Sequence, residues 1–196
     1  MIYRVLYAIC AVVFRIWHPV FRVKGRENVP HDGNMVICPN HCGMADPIWV
    51  LLALKLDGFP RIMAKEQLMR VPVLGAFLRK CNVFGIRRGE HDVAAIKESY
   101  RALRSGENLL IFPEGTRMKK GKVVRVKTGA VLFALRTDTP LLPVYVETKR
   151  FPFSPMRCVI GEPYRLPPED KKAPHEVLQT YADELMDRVY KLGENA

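Results

Sequence analysis

Residues 35–56, MVICPNHCGMADPIWVLLALKL, decide the fold class. Met35–Cys38 is a short apolar run of strand type, ended by Pro39. Gly43 permits a turn, and Pro47–Leu56 then carries helical periodicity. Asp46-Pro47 reads as an N-cap followed by proline at the first helical position. The unit is strand, turn, helix. Outward from it the same alternation continues. Arg61–Ala64, Val83–Ile86, Leu109–Phe112 and Leu141–Val146 are further short apolar runs bounded by charges or turn residues. Between them, Glu90–Arg104 and Lys127–Arg136 have helical spacing, while Pro72 divides Glu66–Lys80 into two short helices. Arg157–Ile160 adds a strand, inside a Pro-rich, loop-rich connection over Phe151–Pro168. In Pro174–Leu192, Val177, Tyr181, Leu185 and Val189 recur at four-residue steps, as in an amphipathic docking helix. The pattern predicts an α/β fold: a single domain with a mixed, partly parallel β-sheet flanked by helices.

Residues 1–19 stand apart from this rhythm. The longest uncharged run, Val5–Phe14, spans about 15 Å as a helix, half of a hydrocarbon core of about 30 Å. It is too short to cross a bilayer. Arg4 and Arg15 share one helical face with Ala8 and Ala11 between them, and Ile2, Leu6, Ile9, Val13, Ile16 and Trp17 cover the remainder. That pattern suits an amphipathic helix lying in a membrane interface, with residues 20–196 as the body of the protein. A signal peptide fits less well, because Arg15-Ile16-Trp17 stands where a small-residue cleavage site belongs. A helix buried against the domain is the other reading.

The 196 residues are 48% apolar and 26% charged, which excludes global disorder. The net charge is +11, and +10 of it falls within residues 61–130, where 16 Lys and Arg face 6 Asp and Glu. Charge so concentrated implies an anionic partner: nucleic acid, a phospholipid surface or a phosphorylated small molecule. The five cysteines are odd in number and scattered, so no disulfide framework is expected. Cys38 and Cys42 flank His41, but no second Cys/His pair with zinc spacing follows, and no metal site is expected.

Two segments carry chemistry. His41 and Asp46 are five apart and meet only if the chain turns at Gly43. A carboxylate on one imidazole nitrogen would fix the tautomer and make the other nitrogen a general base. Separately, Asp46 would be a helix cap and His41 a loop histidine. The chain has no Gly-x-Ser-x-Gly element, so a substrate hydroxyl is the economical nucleophile, without a covalent acyl-enzyme. The second segment is Leu109–Arg117, LLIFPEGTR. Gly115 lets backbone N–H groups approach an oxyanion, and Arg117 can grip phosphate. Lys119, Lys120 and Lys122 extend the positive field, and Thr128 can cap the following helix beside Lys127. A structural Glu114–Arg117 ion pair in a tight turn is the plainer alternative.

Joined in order, Asn40-His41-x4-Asp46 and Phe112-Pro113-Glu114-Gly115-Thr116-Arg117 resemble the glycerolipid acyltransferase family, in particular its 1-acylglycerol-3-phosphate acyltransferases. Val83–Gly89 resembles an intermediate block whose arginine maps to Arg88, and Thr139–Val144 resembles an apolar-proline block. Lys127-Thr128-Gly129-Ala130 matches a further recurrent segment, so the likeness covers residues 20 to 165. Arg87 departs from the pattern, standing where an acidic residue often precedes the block arginine.

The resemblance implies acyl transfer from acyl-CoA or acyl-carrier protein to lysophosphatidic acid, giving phosphatidic acid in phospholipid synthesis. It implies His41 as base and Asp46 as its orienter, with neither metal nor cofactor. Lys65, Arg88, Glu114, Gly115, Thr116, Arg117 and Lys127 are the implied substrate-binding residues, with Met69–Leu78 suited to line an apolar acyl channel. Glycerol-3-phosphate or another lysophospholipid is the alternative acceptor. Membrane association at the cytoplasmic face is expected. A basic membrane-surface adaptor or a nucleic-acid binder are the alternatives of another class. The first leaves His41 and Asp46 without a role. The second lacks aromatics among its basic residues, so no nucleic-acid partner is expected.

Overall fold

Strands alternate with helices along the chain, as the spacing of the apolar runs requires. The computed structural model describes residues 2–87, 92–118, 125–148, 151 and 153–194. The strands are β1 (Phe21–Lys24), β2 (Val36–Pro39), β3 (Arg61–Lys65), β4 (Val83–Ile86), β5 (Leu109–Leu110), β6 (Leu141–Val146) and β7 (Met156–Ile160). The helices are α1 (Ile2–Trp17), α2 (Asp46–Leu54), α3 (Glu66–Met69), α4 (Leu74–Lys80), α5 (Val93–Arg104), α6 (Gly129–Thr137) and α7 (His175–Glu194).

The seven strands form one sheet in the order β1-β7-β6-β2-β5-β3-β4. From β6 to β4 every pairing is parallel; β7 runs against β6, and β1 is parallel to β7. The alternation predicts a mixed, partly parallel α/β sheet, and the sheet is mixed and mostly parallel. Successive residues of β2 divide between its faces. Val36 and Cys38 join a core built with α5, α6 and α7, while Met35 and Ile37 join one built with α1 and α2. Both cores exclude water from the central strands, where Val36, Ile37, Leu109, Leu110, Leu141 and Leu142 are fully buried.

β1 lies outside the expected set of strands. Its sequence, FRVK, alternates half-buried and exposed positions, and two of four residues are cationic, as suits an edge strand protected from further pairing. β5 is shorter than Leu109–Phe112. Ile111 N–H still reaches Ile37 O at 3.0 Å, but Pro113 has no N–H to extend the ladder. The break at Pro72 separates α3 from α4 as expected, whereas α6 begins at Gly129 rather than at Lys127.

α1 combines both readings of the N-terminus. Leu6, Tyr7, Cys10, Ala11 and Phe14 pack on the body, and Phe14 meets Trp49 edge-on. Ala11 therefore faces inward, not outward between Arg4 and Arg15. The opposite face leaves Val5, Ile9, Val12, Val13 and Ile16 exposed, bordered by Arg4 and Arg15. No helix among the described residues is long and apolar enough to cross a membrane.

Candidate active site

The carboxyl ends of parallel strands open onto one edge of the sheet, where α/β proteins commonly bind ligands. β2 delivers Asn40–Asp46 to that edge and β5 delivers Ile111–Arg117 beside it. Asn40, fully buried, extends the sheet with its side chain. Its Nδ2 donates to Val146 O at 2.9 Å, and its Oδ1 accepts from Val146 N–H at 2.7 Å. The amide thus copies a backbone pair and fixes where the chain leaves β2.

Beyond Asn40 the chain turns back on itself. His41 Nδ1 donates to Asp46 Oδ2 at 2.8 Å. The same oxygen accepts the N–H groups of Cys42 at 2.6 Å and Gly43 at 2.8 Å. Asp46 is therefore not the helix cap. It is the first residue of α2, the preceding Ala45 is itself helical, and no side chain caps the helix. The carboxylate instead folds back over the loop and closes it, with no exposure to solvent. Holding Nδ1 as a donor leaves Nε2 as the ring's basic atom. Phe112 stacks on the imidazole, with centroids 4.2 Å apart and planes 30° from parallel.

The second segment holds His41 by its backbone. His41 N–H donates to Glu114 Oε2 at 2.7 Å, and Met118 N–H donates to His41 O at 2.7 Å. Glu114 is almost fully buried, and its other oxygen accepts the hydroxyl of Tyr190 from α7. Burial raises the pKa of Glu114, while the Tyr190 and His41 hydrogen bonds oppose that rise. Both carboxylate oxygens are engaged in this way, so Glu114 holds the His41 loop and is not the partner of Arg117.

Thr116 and Arg117 stand exposed at the tip of the same loop, which turns at Gly115 with φ +66°. A Cβ at Gly115 would come within 3.2 Å of the Lys127 side chain, and the Lys127 backbone N–H donates to Pro113 O at 2.8 Å. The loop and Lys127 are thus packed together. Thr128 occupies the cap position of α6, but without a side-chain hydrogen bond.

Lys65 and Arg87 lie to one side. Lys65 is exposed at the end of β3, two strands from β2 in the sheet order and so roughly 10 Å away. Arg87 lies 3.8 Å from Glu66 and 3.7 Å from Asp92, whose carboxylate also accepts the Arg87 N–H at 2.8 Å. Arg88, Lys119, Lys120 and Lys122 fall outside the described residues. In Met69–Leu78, Met69 and Leu78 pack on the core, whereas Val71, Val73, Leu74 and Phe77 are exposed.

Sequence reasoning gave no role to the side chains of Asn40, Phe112 and Tyr190. Asn40 and Phe112 sit within the motifs, but Tyr190 is 76 residues from Glu114 and carries no local signal. A buried carboxylate in the loop asks for a distant donor without saying which one.

The sequence model of the acyltransferase family matches residues 20–147. A 1-acyl-sn-glycerol-3-phosphate acyltransferase of Bacillus subtilis is 33% identical over 147 residues, 72% of this chain and 72% of that protein. One from Borreliella burgdorferi is 34% identical over 124 residues; the match covers 62% of this chain and about half, 49%, of that relative's length. The crystal structure of the 1-acyl-sn-glycerophosphate acyltransferase PlsC from Thermotoga maritima superposes with a TM-score of 0.72 at 27% identity. That superposition covers 97% of this chain and 78% of the other.

Proposed function

The chain belongs to the acyltransferase family, and from that membership we propose that it acylates 1-acylglycerol-3-phosphate to phosphatidic acid. The observation that carries the proposal is the His41–Asp46 pair, held at the edge where the Arg117 loop emerges. His41 Nε2 takes the proton of the acceptor hydroxyl as its oxygen attacks the thioester carbonyl. The tetrahedral intermediate collapses with loss of the thiolate, which recovers the proton from His41. One C–O bond forms, one C–S bond breaks, and the enzyme is unchanged. Asp46 keeps Nδ1 protonated and supports the imidazolium that forms in between.

Arg117, Thr116, Lys127, the more lateral Lys65, and Arg88 supply donors and positive charge for the acceptor's phosphate. The thioester comes from acyl-CoA or acyl-carrier protein, both anionic, and the +10 of residues 61–130 suits either. Residues 1–19 attach the catalytic body, 20–196, to the cytoplasmic face of the membrane through the exposed apolar face of α1. A product assay that crosses both donors with 1-acylglycerol-3-phosphate and glycerol-3-phosphate tests the reading. Phosphatidic acid formed from 1-acylglycerol-3-phosphate is the expected result. Acylation of glycerol-3-phosphate alone would overturn the choice of acceptor.

A further inference from the structure

Large apolar side chains stand in solvent at two places on either side of the His41 loop. β1 and β7 run against the other five strands, so α1 ends and β7 begins at the edge where β2 and β6 finish. At that corner Trp17, Phe151 and Phe153 are 51%, 72% and 70% exposed. The corner is built, not frayed. Phe153 N–H donates to Trp17 O at 3.0 Å, and the buried His18 donates from Nδ1 to Ser154 O at 2.7 Å. Across the site, Leu68, Val71, Val73 and Leu74 are exposed between α3 and the start of α4, which follow the carboxyl end of β3. Met44, in the His41 loop between the two places, is 80% exposed.

Val73 is the sharpest observation. Its φ of +63° and ψ of −56°, with Leu74 N–H on Pro72 O at 2.6 Å, make it the centre of a strained γ-turn. A β-branched residue is costly there, and the turn presents it at 85% exposure. Glycine would fit the backbone, so the feature retained is an apolar side chain at an apex. The surroundings are cationic. From Lys65 to Arg79 the sequence sets Lys65, Arg70 and Arg79 against one carboxylate, Glu66, which pairs with Arg70 at 2.9 Å, and residues 1–24 hold no acidic side chain. The two places also share a face of the sheet, since Met69 and Leu78 join the same core as α1.

We infer that this face, at its catalytic end, is a bilayer-contact surface with two apolar contacts, the Trp17–Phe151–Phe153 corner and the Val71–Leu74 turn, flanking His41. Its partner is the headgroup and upper acyl layer of an anionic membrane. The inference rests on the reading of the site as one that acylates a membrane-dissolved acceptor. Contact by α1 alone would leave the body free to roll about the helix. Two contacts astride His41 fix the catalytic edge at headgroup depth, where an acceptor's hydroxyl and phosphate already lie.

Flotation of the full chain with phosphatidylglycerol–phosphatidylethanolamine vesicles tests it, beside turnover of a short-chain, water-soluble acceptor. Phe153→Glu and Val73→Glu should each weaken partitioning by about tenfold, from the loss of a few buried methyl and ring groups. Val73→Gly, which relieves the backbone, should weaken it by roughly half as much on a logarithmic scale while folding at least as well. Turnover of the soluble acceptor should stay unchanged in Phe153→Glu. Partitioning of Val73→Gly and Val73→Glu equal to that of the wild type would overturn the second contact. A wild type that turns over the soluble acceptor but stays off vesicles would overturn the surface and leave the reaction standing. A wild type that floats with the expected variant sensitivity yet acylates no acceptor would support the surface and defeat the reaction.

Discussion

The loop after β2 and the segments after β3 and β4 stand at the same sheet edge but are held in opposite ways. His41 is fixed through its ring by Asp46, through its N–H by Glu114 and through its carbonyl by Met118. Lys65 and Arg87 are exposed, and the ion pairs near Arg87 are long, at 3.7 and 3.8 Å. A base must meet its proton within a few tenths of an ångström, and under the proposed mechanism these three anchors on His41 serve that need. Under the proposed function a phosphate carries charge that long side chains reach from several positions, and Lys65 stands in solvent as such a grip would. On that proposal, rigidity goes with the proton transfer and exposure with the anion. Substitutions on the two sides should therefore fail differently, in kcat on one and in KM on the other.

Short of removing His41 itself, Asp46→Asn should have the largest effect. It replaces an acceptor of three hydrogen bonds and undermines the Nδ1–H tautomer, and should lower kcat about 10^3-fold in a steady-state assay. Next, Glu114→Ala leaves the His41 N–H without its acceptor and shifts the loop. It should cost roughly 10^2-fold in kcat with little change in KM, which separates positioning from binding. Arg117→Ala should do the reverse, raising KM for the phosphate-bearing acceptor about tenfold and changing kcat less. A kcat-only effect there would break the division.

The smallest effect concerns stability. Asp92 caps α5 through Ala95 N–H at 3.1 Å and also accepts the Arg87 N–H, and chiefly these two bonds hold its carboxyl below the usual 3.8. A depressed folded-state pKa stabilises the fold above the unfolded value and ceases to as pH falls through the folded one. Asp92→Ala should cost about 1 kcal/mol near neutrality by denaturant unfolding. That difference should shrink as the pH is lowered below about 3.8.

What could be read from the sequence was local. Val83–Ile86 and Leu141–Val146 are apolar runs with clear stops, and both are strands with those bounds. Pro72 removes a helical N–H, and the helix breaks there. His41 and Asp46 were legible as a pair because Gly43 lies between them. β1 was not, because an edge strand needs only one apolar face and FRVK has two apolar residues to show. Asp46 looked like a cap because sequence cannot tell a carboxylate turned into its helix from one turned back over the preceding loop. The Asn40 clamp on Val146 and the Tyr190 bond to Glu114 join residues far apart in the chain, and only the closed fold brings them together.

Turnover by purified His41→Ala tests the central claim most directly, with its far-ultraviolet circular dichroism and vesicle binding matched to the wild type. The account predicts that acyl transfer to the lysophospholipid acceptor falls by about 10^3-fold or more while fold and membrane association persist. Transfer at the wild-type rate by that variant would contradict it.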